Sequence, residues 1–220
     1  MRTIKAAELI MDFDLYPRND LDKRNVRCLV EAIESGETLP PVVIDRKSKR
    51  IVDGFHRTRA YLRLDENAEI EVIEKSFKTD AAIFLEAMRL NADHGVKLDP
   101  HDHVHCLIVA ERLKISFDAV AGALHVSADK LGSLRITRTA TSVSDGLAVP
   151  LKRTMKHMAG RRLTKRQITA NQRSSGMNQA FYANQLIDLI ETKLLDMEDE
   201  KLIERLQHLH ELLTSLLVAH

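Results

Sequence analysis

The run Ile51-Val52-Asp53-Gly54-Phe55-His56-Arg57-Thr58-Arg59-Ala60 constrains this chain more than any other. A short apolar strand stops at a glycine, and basic side chains follow at once on what reads as the first turn of a helix. Glycine lets the backbone turn that corner without steric cost. The corner exposes backbone N–H groups at a positive helix end. Arg57 and Arg59 add cations able to fork onto phosphate oxygens. Two readings fit the spacing: an anion site, or an ordinary strand–turn–helix corner with exposed arginines.

The residues around the corner form a small α/β unit. Val26, Leu29, Val30 and Ile33 recur at helical spacing, and Gly36 stops the helix. Leu39-Pro40-Pro41 leads into the strand Val42-Val43-Ile44, and a polar turn joins it to Ile51-Val52. Ile70 to Ile73 reads as a third strand. Helices follow. One spans Asp80 to Asn91, with Ile83, Phe84, Ala87, Met88 and Leu90 apolar and Gly95 beyond its end. Another begins at Asp99-Pro100, an N-cap followed by proline at the first helical position, and runs to about Leu113.

Ile115 to Leu134 reads as a helix-turn-helix. Ser116 caps a short helix over Phe117 to Leu124, and His125-Val126 makes the turn. Ser127 caps a second helix. Val120, Ala121, Leu124, Val126, Leu131 and Leu134 stand at the spacing two crossed helices need to share one core. Ser127, Ala128, Lys130 and Ser133 then fall at the start of a recognition helix, where base edges are met. Arg135 and Arg138 suit phosphates.

Charge supports a polyanionic partner. The whole chain carries only +1, but Leu131 to Arg173 holds ten basic residues against the single Asp145, a net of +9. Within it, Lys152, Arg153, Arg161, Arg162, Lys165 and Arg166 are candidate DNA contacts. Thr164 with Gln167 forms a capping-box pattern there, and Ser174-Ser175-Gly176 is a break. Tyr182 to His220 is acidic, with a net of −5. Its leucine-rich stripes read as two amphipathic helices joined at Glu198 to Glu200. Such stripes suit a homodimer interface or a partner protein.

The corner Gly54 to Ala60 resembles the Gly-x-x-Arg box of the ParB N-terminal domain. Leu15-Tyr16-Pro17-Arg18 is similar to the proline-arginine segment that opens that domain. Leu90-Asn91-Ala92-Asp93-His94-Gly95 resembles the Asn-x-x-His-Gly form found in ParB-like regulators just before the helix-turn-helix. The likeness covers about Met1 to Leu134. It implies an α+β fold, with a ParB/sulfiredoxin-like domain over residues 1–78 and a helical helix-turn-helix domain over 79–146; the charge and leucine patterns above add a basic segment with a C-terminal helical hairpin over 147–220.

The resemblance also implies CTP, with Mg²⁺, bound at the corner. Gly54, His56 and Arg57 would face phosphates, Arg18 and Arg59 would support them, Asn91 would hold the nucleotide, and His94 takes the place of the second box's arginine. Three positions depart from the family pattern: Phe55 replaces an acid, Leu90 a glutamate and His94 an arginine. Phe55 also stands where sulfiredoxin carries its cysteine, so no thiolate forms there. The expected function is double-stranded DNA binding in plasmid, phage or chromosome partition or in transcription control. The alternative is a nucleotide-using enzyme, a CTPase or a phosphotransferase.

Three features bound the rest. No stretch approaches the ~18 apolar residues of a membrane span, and the start MRTIKAAELIMDFD lacks a signal peptide's apolar run, so a cytoplasmic location is expected. Cys28 and Cys106, the two cysteines, form no framework. His101, His103 and His105 crowd one helix start beside Cys106, but no familiar ligand spacing is completed, and a solvated helix start is expected rather than a metal site.

Overall fold

The computed structural model describes residues 2–93 and 96–218. The chain divides into two compact units, Met1–Gly176 and Met177–His220.

The first unit opens with a four-stranded sheet. Strands β1 (Arg2–Lys5), β2 (Val42–Asp45), β3 (Ile51–Asp53) and β4 (Glu69–Lys75) lie in the order β1-β4-β2-β3. β2 and β3 form an antiparallel hairpin, β2 and β4 run parallel, and β1 closes antiparallel on β4. All four residues of the central β2 are buried, as its unbroken apolar character requires. β4 instead alternates, burying Ile70 and Val72 and exposing Glu69 and Glu71. β1 is absent from the sequence reading. It has one buried residue, Ile4, too faint a pattern to mark a strand without its partner.

Helices α1 (Lys23–Glu34) and α2 (Phe55–Leu64) pack together on one side of the sheet. Ile4, Val42, Ile44, Ile51, Phe55 and Ile70 share a core there. Asp22 caps α1, accepting from the N–H groups of Arg24 and Asn25. The sheet's other side meets α3 (Asp80–Asp93), so Val43 and Val52 join a second core with Phe84 and Met88. That core continues into α4 (Pro100–Arg112), α5 (Phe117–Ala123) and α6 (Ala128–Arg138), through Leu107, Val120, Leu124 and Leu131. That core draws residues from both sides of residue 78.

α5 and α6 form the expected pair of short helices. Ser116 and Ser127 cap them by accepting from the N–H groups of Ala119 and Lys130. Between them His125 takes a left-handed conformation, φ 52°. The α+β architecture is as expected, with one addition. Thr139–Ser142 (β5), Ala148–Pro150 (β6) and Arg162–Leu163 (β7) make a second small sheet, ordered β6-β5-β7. The turn between β5 and β6 carries Asp145-Gly146, with Gly146 at φ 71°. Beneath it Ala140, Val149, Leu151 and Leu163 form a third core, against which Met155, Met158 and Ile168 pack. α7 (Lys165–Arg173) begins at the expected Thr164–Gln167 capping box.

The second unit consists of α8 (Gln179–Glu191) and α9 (Glu200–Val218), the two expected amphipathic helices. No described residue of either is buried. No helix among the described residues is long and apolar enough to cross a membrane.

Candidate functional site

The corner after β3 opens onto a cleft of about 700 Å³. Arg18, Gly54, His56, Arg57 and Asn91, expected to meet there, all line it, together with Tyr16, Asn25, Asp53, Phe55 and Val96. Gly54 has φ 105°, and a Cβ at that position would stand 2.9 Å from Val42 Cγ2. The close approach of this backbone to β2 is thus what only glycine permits. As N-cap of α2, Gly54 offers no side-chain oxygen to the first-turn N–H groups, which leaves the helix end free to favour an anion.

The two cleft arginines have partners within the protein. Arg57 Nη1 donates to the carbonyls of Pro40 and Pro41, each at 2.9 Å, and Nη2 to Asp53 Oδ2 at 2.6 Å. It pins the lead into β2 against α2. Arg18 Nε donates to Asn91 Oδ1 at 3.4 Å, Nη2 donates to the Val96 carbonyl, and Nη1 lies 3.7 Å from Asp102 Oδ2. Asn91 completes its bonding by donating to the Ala87 carbonyl. His56 Nε2 accepts from the Asp22 N–H at 3.1 Å, a role open only to neutral imidazole. Burial, and then the charge of Arg18, lower its pKa. Arg59 is exposed on α2, outside the cleft lining. His94 lies outside the described residues.

One cleft feature escaped the sequence reading. Tyr16, within the recognised Leu-Tyr-Pro-Arg segment, is 2% exposed and stacks on Phe55 with ring centroids 4.3 Å apart. Its hydroxyl is buried without a hydrogen-bond partner, and burial raises its pKa. Asp102, on α4, accepts from both the backbone and the side chain of Asn19.

α4 stitches the cleft to the helices. His105 Nε2 lies 3.1 Å from the Tyr16 carbonyl, Cys106 Sγ donates to the Pro17 carbonyl, and Arg112 donates to the Asp14 carbonyl. At its start His101 Nε2 meets the Pro150 carbonyl at 3.2 Å. This corrects the expectation of a solvated helix start: His101 is buried, because β6 packs over the start of α4, while Cys106 is buried on the apolar face it shares with Val109 and Ala110.

On the helix pair α5–α6, Ser127, Ala128, Lys130, Ser133 and Arg135 are exposed along α6 or at its cap. Arg135 Nη2 pairs with Glu111 Oε1 at 2.5 Å. Arg138, half-buried, lines a second cavity of about 620 Å³ with Lys152, Arg153 and Arg18. Lys152 Nζ donates to the Gln172 and Ser174 carbonyls and so caps the end of α7. Arg161, Arg162, Lys165 and Arg166 are exposed around β7 and the start of α7.

Comparison with known proteins adds the following. The chain is 31% identical over 151 residues to the "Transcriptional regulator NovG" of Streptomyces niveus, covering 65% of this chain and 46% of that protein. It is 29% identical over 183 residues to the "Streptomycin biosynthesis operon possible regulatory protein" of Streptomyces griseus, covering 79% and 49%. The chain thus spans about half the length of the curated relatives it matches. Among solved structures it is similar to Caulobacter crescentus ParB complexed to the centromeric parS site, with a TM-score of 0.45 at 15% identity over 62% of this chain and 71% of that one. It is also similar to the same organism's ParB complexed with CTP-γ-S, with a TM-score of 0.38 at 16% identity over 62% and 77%. The model of the ParB N-terminal domain matches residues 2–90, the sheet, α1, α2 and most of α3. Residues 2–90 are thus similar to the ParB N-terminal domain.

Proposed function

We propose that this protein is a DNA-binding transcriptional regulator that reads a duplex site with α6. One observation carries the reading: α6 is held by its buried Leu131, while its Ser127-capped start stands exposed in the same unit as exposed Arg161, Arg162, Lys165 and Arg166. A short helix presented in this way fits the major groove, and flanking cations neutralise phosphates. Regulation is favoured over partition because both curated relatives are named as regulators.

Fluorescence anisotropy on a pool of random duplexes tests this. Binding is expected at about 50 mM salt and is lost steeply towards about 200 mM. Replacing Arg161, Arg162, Lys165 and Arg166 together by Ala should lower affinity for every duplex and flatten the salt dependence by about 0.9 per lost contact. If no duplex binds at low salt, the proposal fails.

The cleft supports a nucleotide-responsive role. The uncapped start of α2 and the orphaned Tyr16 hydroxyl fit an anionic or polar ligand. CTP phosphates would rest on the Gly54–Arg57 turn, and Arg57 would have to exchange its present carbonyl partners for them. The fit to Mg²⁺ is poor. Among the described residues lining the cleft Asp53 is the one acid, and it already receives Arg57. For the same reason an enzymatic use of the corner has less support than binding.

α8 and α9 would join two copies. They bury nothing by themselves, and Ile187, Ile190, Leu212 and Leu216 are each about half exposed. A second copy would turn the pair into a four-helix bundle with one shared core.

A further inference from the structure

The surface of α6 carries information about what it reads. Two rows at helical spacing face outward: Ala128, Gly132 and Ile136, and beside them Asp129, Ser133 and Thr137. With Phe117 they line a shallow depression of about 550 Å³. Ile136 is 77% exposed, although a helix of this length buries its apolar face elsewhere through Leu131. Thr137 Oγ1 donates to the Ser133 carbonyl at 2.7 Å, so its hydroxyl is spent on the helix.

Gly132 is the least expected residue on this face. A glycine inside a helix costs stability relative to alanine, and a Cβ built on Gly132 meets nothing within 4 Å. Nothing inside the protein calls for the missing side chain. A close approach by something outside it would. The side chains suited to guanine contacts are placed elsewhere: Arg135 pairs with Glu111, Arg138 lines the second cavity, and Lys130, exposed on α6, stands outside the depression.

We infer that α6 reads its duplex chiefly through thymine methyl groups in the major groove. Ala128, Ile136 and the Thr137 methyl supply the apolar contacts, Gly132 marks the point of closest approach, and Asp129 accepts from a cytosine amino group. This rests on α6 being the DNA-reading helix. It adds which base features are read, and by which residues. The basic residues in the same unit select a nucleic acid, rather than a protein, as the occupant of this face.

The test uses the full chain. A duplex is first selected from a random pool, and each thymine in it is then replaced by deoxyuridine, which removes only the methyl group. At one or more positions affinity should fall about threefold to fivefold, the effect of one buried methyl. Ile136→Ala should erase part of that difference while keeping the wild-type salt dependence. Gly132→Leu should keep or raise the Tm, since leucine favours helix, yet weaken the selected duplex at least tenfold. If deoxyuridine is tolerated at every position, or Gly132→Leu binds like wild type, the inference falls while DNA reading by α6 stands. If no duplex is enriched, both fall.

Discussion

At Gly54 one hydrogen atom holds the place where β3, α2 and the cleft meet. Its φ of 105° already disfavours a side chain, and an added Cβ would press on Val42 Cγ2 at 2.9 Å and on the Arg57 guanidinium at 3.1 Å. Val42 is fully buried in the central strand and cannot give way. Gly54→Ala should therefore cost about 3 kcal/mol, from strain and overpacking combined. Urea unfolding followed by circular dichroism measures this. A loss below about 1 kcal/mol would show that the corner relaxes. Arg57 illustrates the other residue-scale lesson: a cation that suits phosphate by its sequence position is a structural clamp on Pro40 and Pro41 in the fold.

At the scale of the element, α4 carries the pH dependence. Burial is the first cause lowering the pKa of His101, His103 and His105 below the ordinary 6.5. A histidine whose folded pKa is depressed takes up protons more readily when unfolded. Its contribution is therefore fully present above pH 6.5 and is lost as pH falls from there through the folded pKa values. The Tm should hold above about pH 6.5 and decline as pH falls below it. His101→Gln with His105→Gln keeps a donor for the Pro150 and Tyr16 carbonyls but cannot titrate, and should flatten that decline. An unchanged slope in calorimetry would place the proton uptake elsewhere. Glu86 acts in a separate, more acidic window. Its hydrogen bond from Arg89 and its bond to Lys75, working against burial, bring its pKa to about 2. Its contribution is present above about pH 4.5 and fades towards pH 2.

For the whole molecule, the decisive contrast is between a first unit with three apolar cores and a second unit whose two helices bury no described residue. An isolated helical pair with Ile190 53% and Leu217 72% exposed leaves a large apolar area in water. The full chain should therefore scatter light as a dimer, and a chain ending at Gly176 as a monomer with the Tm of the first unit retained. A truncated chain that remained dimeric would remove α8 and α9 from the interface. Two α6 helices brought together in this way would read paired half-sites.

Much of this was legible in the residues because it is decided within a few positions. The Asp99-Pro100 start, the Ser116 and Ser127 caps and the Thr164–Gln167 box each depend on neighbours no more than four residues away. The pair of short helices α5 and α6 followed from the two serine caps. The small sheet of β5 to β7 was half legible, since Asp145-Gly146 between alternating residues is a hairpin signal that the surrounding positive charge obscured. Tertiary structure alone decided which cations are free. Arg18 meets Asn91 and Asp102, Arg135 meets Glu111, and Lys152 meets the end of α7. β1 likewise exists only because β4 offers it an edge. A cap is a bargain between neighbours in the chain, whereas an ion pair or an edge strand depends on which distant segment the packing brings alongside, and no local pattern records that.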